Sequence, residues 1–165
     1  MKGRETAWSS PFREFSLMPR SDYRRAFKIE RWKDCREELA PLWKAYADEA
    51  EIEVEPDDQV YEWLEDDIIL ATMRGYGELV GAHRSIIGPD LHRAGETCAF
   101  CDGWFVLPEW RQGRAAFHLL WLAEDEARKR GCASICQSSS PHRPIDNLLD
   151  REGWTRSETL YRKRL

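Results

Sequence analysis

The chain has 165 residues, 42% of them hydrophobic and 33% charged, and a net charge of −5. That length suits one domain with a single core. No run approaches the roughly 20 apolar residues of a membrane span, and residues 1–22 lack the apolar stretch of a secretory signal. These features exclude a membrane protein and point to the cytoplasm.

Residues 1–22 show neither a strand nor a helix period, so a loosely ordered arm is expected there, followed by one domain over 23–165. Ala26 to Trp32 alternates as a first strand. Cys35, Leu39, Leu42, Trp43, Tyr46 and Ala50 recur at helical spacing, and Pro41 places the start of the regular helix near itself. Asp57 or Asp58 is positioned to cap a second helix, with Val60, Trp63 and Leu64 facing inward. Residues 67–74 and 78–87 read as two strands joined by a hairpin turn at Gly75, Tyr76 and Gly77. The longest strand runs from Thr97 to Leu107, and Gly103 inside it marks a bulge or a close backbone approach.

After Pro108 comes the clearest helix, residues 111–130, with Ala116, Leu119, Leu120, Ala123 and Ala127 as its buried stripe. Residues 132–138 form a strand, 145–152 a short helix stopped by Gly153, and 157–163 a closing strand. The resulting order, β α α β β β α β α β, is that of an α/β (α+β) domain. Its first half is rich in hairpins, and a right-handed β-α-β crossover lies in the second.

Charge is distributed unevenly. Residues 1–33 carry nine bases and four acids, a net of +5; residues 34–103 carry five bases and eighteen acids, a net of −13. An acidic middle favours a cationic partner over the centre of the chain, unless it is simply a solvated face. The five cysteines read as reduced thiols. Cys98 and Cys101 form a CxxC, but an odd spacing in a strand sends them to opposite faces, and scattered histidines complete no metal site.

The chemistry concentrates between Trp104 and Ala116. There a strand runs into a short Arg- and Gly-containing loop that opens a helix. Such a junction gathers free backbone N–H groups and a positive helix end, a place for a phosphate or pyrophosphate. Small Gly113, Ala115 and Ala116 allow close approach, and Arg111 and Arg114 add charge. No Gly-Lys-Ser/Thr follows, which excludes a P-loop, and no GxGxxG is present.

On these residues the sequence resembles the GNAT superfamily of acyl-CoA N-acyltransferases. That family carries Val-x-Pro at the end of its fourth strand, then Arg/Gln-x-x-Gly-x-Gly/Ala at the start of its third helix. Val106, Leu107 and Pro108 match the first motif, and Arg111 and Ala116 match the ends of the second. The central glycine position is Arg114, with Gly113 one residue earlier. The run from Pro108 to Ala116, preceded by Asp102, is most similar to short members encoded by tailed bacteriophages.

The resemblance implies a mixed, mostly antiparallel sheet with splayed fourth and fifth strands and helices on both faces. It implies acetyl-CoA as co-substrate. Val106 N–H would then hold the thioester oxygen, and Phe105 and Leu107 would pair with the pantetheine arm. Arg111, Gln112, Gly113, Arg114, Ala115 and Ala116 would receive the pyrophosphate. Asp102 is the first candidate for the base, because four residues before Val106 it shares that residue's strand face if no bulge intervenes. His92 is an alternative base with a better-matched pKa, in the loop before that strand. Relatives carry a Tyr four residues before the helix-ending Gly; here that position is Leu149, leaving Tyr161 or Ser140 as candidate proton donors. A small cationic amine is the expected acceptor. An aminomethylated pyrimidine in modified DNA ranks second, a CoA-binding module without catalysis third, and a homodimer is open.

Overall fold

The computed structural model describes residues 25–53, 56–139 and 144–157. The expected arm, most of the closing strand, Ser140 and Tyr161 lie outside the described residues. Among the described residues, five strands form one sheet in sequence order: β1 (Arg25–Glu30), β2 (Ile68–Gly75), β3 (Glu78–Pro89), β4 (Thr97–Val106) and β5 (Ser134–Cys136). Pairings from β1 to β4 are antiparallel, and β4 pairs with β5 in parallel. A parallel pair needs a crossover, and helix α3 (Ala115–Lys129) supplies it.

Strand alternation divides the core into two layers. Leu70, Ala82 and Phe105 meet Leu39, Leu42 and Trp43 of helix α1 (Trp32–Ala50) on one face. Ile69, Ala71 and Val106 meet Leu119 and Ala123 of α3 on the other. Helix α2 (Asp58–Trp63) follows α1, and α4 (Asp146–Arg151) follows β5. The mixed α+β sheet with helices on both faces agrees with the expectation.

Three local readings are corrected. Trp32 does not end β1; it begins α1, which runs unbroken through Pro41. A proline inside a helix costs about 3 kcal/mol. Burying Leu39, Leu42 and Trp43 to 6% exposure or less outweighs this, at about 1.5–3 kcal/mol for a typical large apolar side chain. In α2, Asp57 caps the helix by accepting from Gln59 N–H, but Val60 and Trp63 are exposed rather than inward. Tyr61 packs on the core in their place. In the hairpin, Tyr76 and Gly77 both take positive φ, while Gly75 stays in the strand, where a Cβ would run into the Trp110 ring.

Gly103 satisfies both expected reasons for a glycine. Arg84 pairs with Gly103 and Ser85 with Cys101, so Asp102 is an extra residue bulged out of the ladder. A Cβ on Gly103 would stand 3.1 Å from the Trp43 ring. The bulge resets the alternation, and Asp102 shares the α1 face with Phe105 instead of the α3 face with Val106. A Gly103→Ala substitution should push Trp43 aside and lower stability by about 1–3 kcal/mol, read as an earlier urea midpoint with unchanged slope.

Candidate active site

The ladder between β4 and β5 has three residue pairs and ends at Phe100 and Cys136. Beyond it the strands part around a cavity of about 180 Å³. Its walls include Tyr46 of α1, Asp102 to Val106 of β4, Arg111, Ala116 of α3, Gln137 and Ser138 after β5, and Leu148 of α4.

Backbone direction at the cavity follows from one hydrogen bond. Leu107 N–H donates to Val80 O at 2.9 Å, toward β3. Main-chain groups alternate sides along a strand, so those of Val106 and Trp104 face the opening and those of Phe105 face β3. The Val106 carbonyl confirms the direction by accepting from Arg111 Nε at 2.8 Å. Val106 N–H therefore points where expected. Phe105 and Leu107 do not, because β3 occupies that side of the strand.

The loop after β4 delivers a bare helix end. Gly113 takes φ +71°, which explains a glycine one residue before the expected place. Gln112 O accepts from Arg25 Nη1 at 2.9 Å, holding the loop to β1. No side chain caps α3 at Arg114, and its first turn closes with His118 N–H on Arg114 O. The N–H groups of Ala115, Ala116 and Phe117 thus stand outside the helical ladder, and Ala116 lines the cavity.

Neither loop arginine is displayed as expected. Arg111 turns back to Val106 O and ion-pairs with Glu49 near the end of α1, its guanidinium 5.1 Å over Phe105. It joins α1 to the end of β4. Arg114 lies 5.1 Å over the Trp121 ring, on the α3 surface.

Of the candidate bases, Asp102 lines the cavity and His92 does not. His92 sits in the turn before Thr97, at the opposite end of β4 from Val106, with its N–H on Asp90 Oδ1. That distance, roughly 30 Å of strand, removes it from the site. Asp102 Oδ2 accepts from Arg84 Nε at 2.7 Å and from the Tyr61 hydroxyl at 2.9 Å. Neither Arg84 nor Tyr61 stood out in the sequence as a site residue.

Residues 22–148 match the model of the acetyltransferase (GNAT) family. The chain belongs to that family. Acetyl-CoA is accordingly its co-substrate, and the free donors at Val106 and Ala115 to Phe117 suit a thioester oxygen and a pyrophosphate.

Among solved structures, the aminoglycoside N-acetyltransferase AAC(6')-Iy, in complex with the bisubstrate analog CoA-S-monomethyl-acetylneamine, superposes with a TM-score of 0.67 at 22% identity. It covers 86% of this chain and 99% of its own. The ribosomal-protein-alanine N-acetyltransferase of Brucella melitensis biovar Abortus 2308 gives the same score, identity and coverage. Glucosamine-6-phosphate N-acetyltransferase of Arabidopsis thaliana gives 0.64 at 14% identity, over 84% of this chain and 98% of its own. At such identities the likeness is one of fold. No curated protein matches the sequence.

One buried histidine supports the opening of this GNAT sheet. His83 of β3 is fully buried, and its Nε2 lies 2.9 Å from Gln137 Oε1. Gln137 Nε2 donates in turn to Ser138 O at 3.0 Å, which fixes the amide and makes His83 Nε2 the donor. Burial pushes the His83 pKa down to about 4, against the partial opposition of the Gln137 hydrogen bond. The unfolded chain takes up this proton as pH falls through 6.5, whereas the folded chain resists until about 4. Stability contributed by neutral His83 is complete above 6.5 and declines across that window, by roughly 3 kcal/mol in all. Urea titrations between pH 7 and 4 should show this slope in the wild type and a shallower one in His83→Gln.

Proposed function

We propose that the protein is an N-acetyltransferase that moves the acetyl group of acetyl-CoA to a primary amine of a small cationic acceptor within a ternary complex. The observation that carries the reading is the outward Val106 N–H beside the uncapped start of α3. Pantetheine enters between β4 and β5, the pyrophosphate meets the N–H groups of Ala115 to Phe117, and Val106 N–H polarises the thioester carbonyl. Trp104, whose main chain faces the same side, takes over the pantetheine contacts expected of Phe105 and Leu107.

The neutral amine attacks the carbonyl carbon, forming an N–C bond and a tetrahedral oxyanion held by Val106 N–H. Collapse breaks the C–S bond and releases CoA thiolate. The surplus ammonium proton leaves toward Asp102, which stands four residues from Val106 across the bulge, roughly 10–13 Å along β4, with water bridging the interval. Leu149 is apolar and 9% exposed, so that position supplies no proton, and the thiolate takes one from solvent or from Tyr161 or Ser140, both outside the described residues. Holding both reactants in one cleft supplies much of the rate.

The acceptor assignment rests on charge. The residues that build the acceptor side, from α1 to Asp102, belong to the stretch with net −13. Neighbours of the same fold include enzymes whose names specify aminoglycosides.

Thiol release from acetyl-CoA should depend on a cationic amine, and its rate should rise with pH as that amine loses its proton. The amine panel includes polyamines, amino sugars and an aminomethylated pyrimidine nucleoside. Acetyl-CoA binding without release for any of them would leave a binding module instead. Val106→Pro deletes a donor that takes no part in the β3 ladder, so the strand should fold. Its turnover should fall by about 100-fold or more in the same assay.

A further inference from the structure

The β4 bulge does more than interrupt a ladder. It places Asp102 against a cation that is almost wholly enclosed by protein. Arg84 is 6% exposed, and its guanidinium lies 4.0 Å over the Tyr61 ring and 4.9 Å over Trp43. A guanidinium so enclosed loses most of its water and needs a charged partner with good geometry. Asp102 supplies it, through Oδ2 alone. Nε and Nη2 of Arg84 both reach Oδ2, at 2.7 and 2.5 Å. The Tyr61 hydroxyl accepts from Nη2 at 2.7 Å and donates its own proton to the same Oδ2 at 2.9 Å.

Two hydrogen bonds, from Arg84 Nε and the Tyr61 hydroxyl, occupy both lone pairs of Oδ2, with Arg84 Nη2 close by as the ion-pair partner. Oδ1 receives none among the described residues, and the Asp102 side chain is 32% exposed on the cavity wall. Burial pushes the Tyr61 pKa up to about 12, against the nearby Arg84 charge, so its hydroxyl keeps its proton and remains a donor throughout the working range. The group arrives from α2, Arg84 from β3 and Asp102 from β4, so three elements converge on one oxygen.

We propose that Arg84 and Tyr61 are positioning residues that lock Asp102 with Oδ1 alone turned to the cavity, as a one-oxygen dock for the ammonium of a primary-amine acceptor. This rests on the acetyltransferase reading and names the part of the site that selects the acceptor. An ammonium has the charge and the N–H to meet a lone carboxylate oxygen. A neutral aromatic amine has only a weak claim on it. Losing a clamp donor lets the carboxylate rotate and share its oxygens, without touching the coenzyme side.

The test is steady-state kinetics on the whole chain, with the best amine from the panel. The comparison covers wild type, Tyr61→Phe, Arg84→Lys, Asp102→Asn and the double variant Tyr61→Phe with Asp102→Asn. Tyr61→Phe keeps the ring over Arg84 and removes one donor; it should raise the acceptor KM by about three- to tenfold and leave the acetyl-CoA KM unchanged. Arg84→Lys replaces a fork by a point charge and should raise it by roughly tenfold or more. Added to Asp102→Asn, the Tyr61→Phe change should have no further effect, because its route runs through that carboxylate.

A multiplicative effect in the double variant, or an acetyl-CoA KM that moves with the acceptor KM, would overturn the clamp and leave a purely structural ion pair. Should Arg84→Lys fail to fold, Tyr61→Phe and its double variant decide alone. If the wild type acetylates no amine although it folds, the functional reading itself fails and the dock with it. Normal wild-type turnover with an unmoved acceptor KM in Tyr61→Phe defeats the dock alone.

Discussion

A parallel ladder of only three residue pairs joins β4 to β5, and the site exists because it stops there. Past Phe100 β4 runs on to Val106 while β5 ends at Cys136, so that stretch of β4 faces a cavity on the side where no described strand pairs with it. Main-chain groups are costly to bury without a partner. The fold tolerates them because a ligand with alternating amides and carbonyls can complete the pairing. His83, reaching Gln137 from β3, steadies the far wall of the gap.

Charge in the site is directed by the same architecture. Two arginines expected to meet phosphate are engaged elsewhere, Arg111 with Glu49 and the Val106 carbonyl, Arg114 over Trp121. What remains for an anion is the bare first turn of α3, a partial positive charge fixed by the backbone. On the acceptor side the balance is reversed. Arg84 is sealed between two aromatic rings, and its partner Asp102 offers the cavity a carboxylate oxygen. On the proposed reading, one face of the cleft suits the negative coenzyme and the other a positive amine.

Much of this was legible in the residue order. Element sequence, the hairpin, the β-α-β crossover and the loop before α3 all follow from local periodicity and from glycine and proline placement, which act over a few residues. The failures share a cause. A local rule places a helix start at Pro41, and burial of the α1 stripe against the sheet overrides it. Counting along the strand puts Asp102 on the face of Val106, and a bulge opposite Arg84 shifts the count. Gly103 was the available signal, since a glycine in a strand marks such a bulge. Pairs such as Glu49 with Arg111, 62 residues apart, or Tyr61 with Asp102, 41 apart, leave no trace in periodicity. They emerge only when the sheet is assembled.

The proposed coenzyme site is built of particular main-chain donors, and amide NMR observes them one by one. Titrating acetyl-CoA into 15N-labelled protein should move the Val106 resonance and those of Ala115, Ala116 and Phe117 most. Leu107, whose N–H is bound to Val80, should shift little. Saturable binding that leaves the Val106 and α3 amides unmoved, with the largest shifts elsewhere, would contradict it.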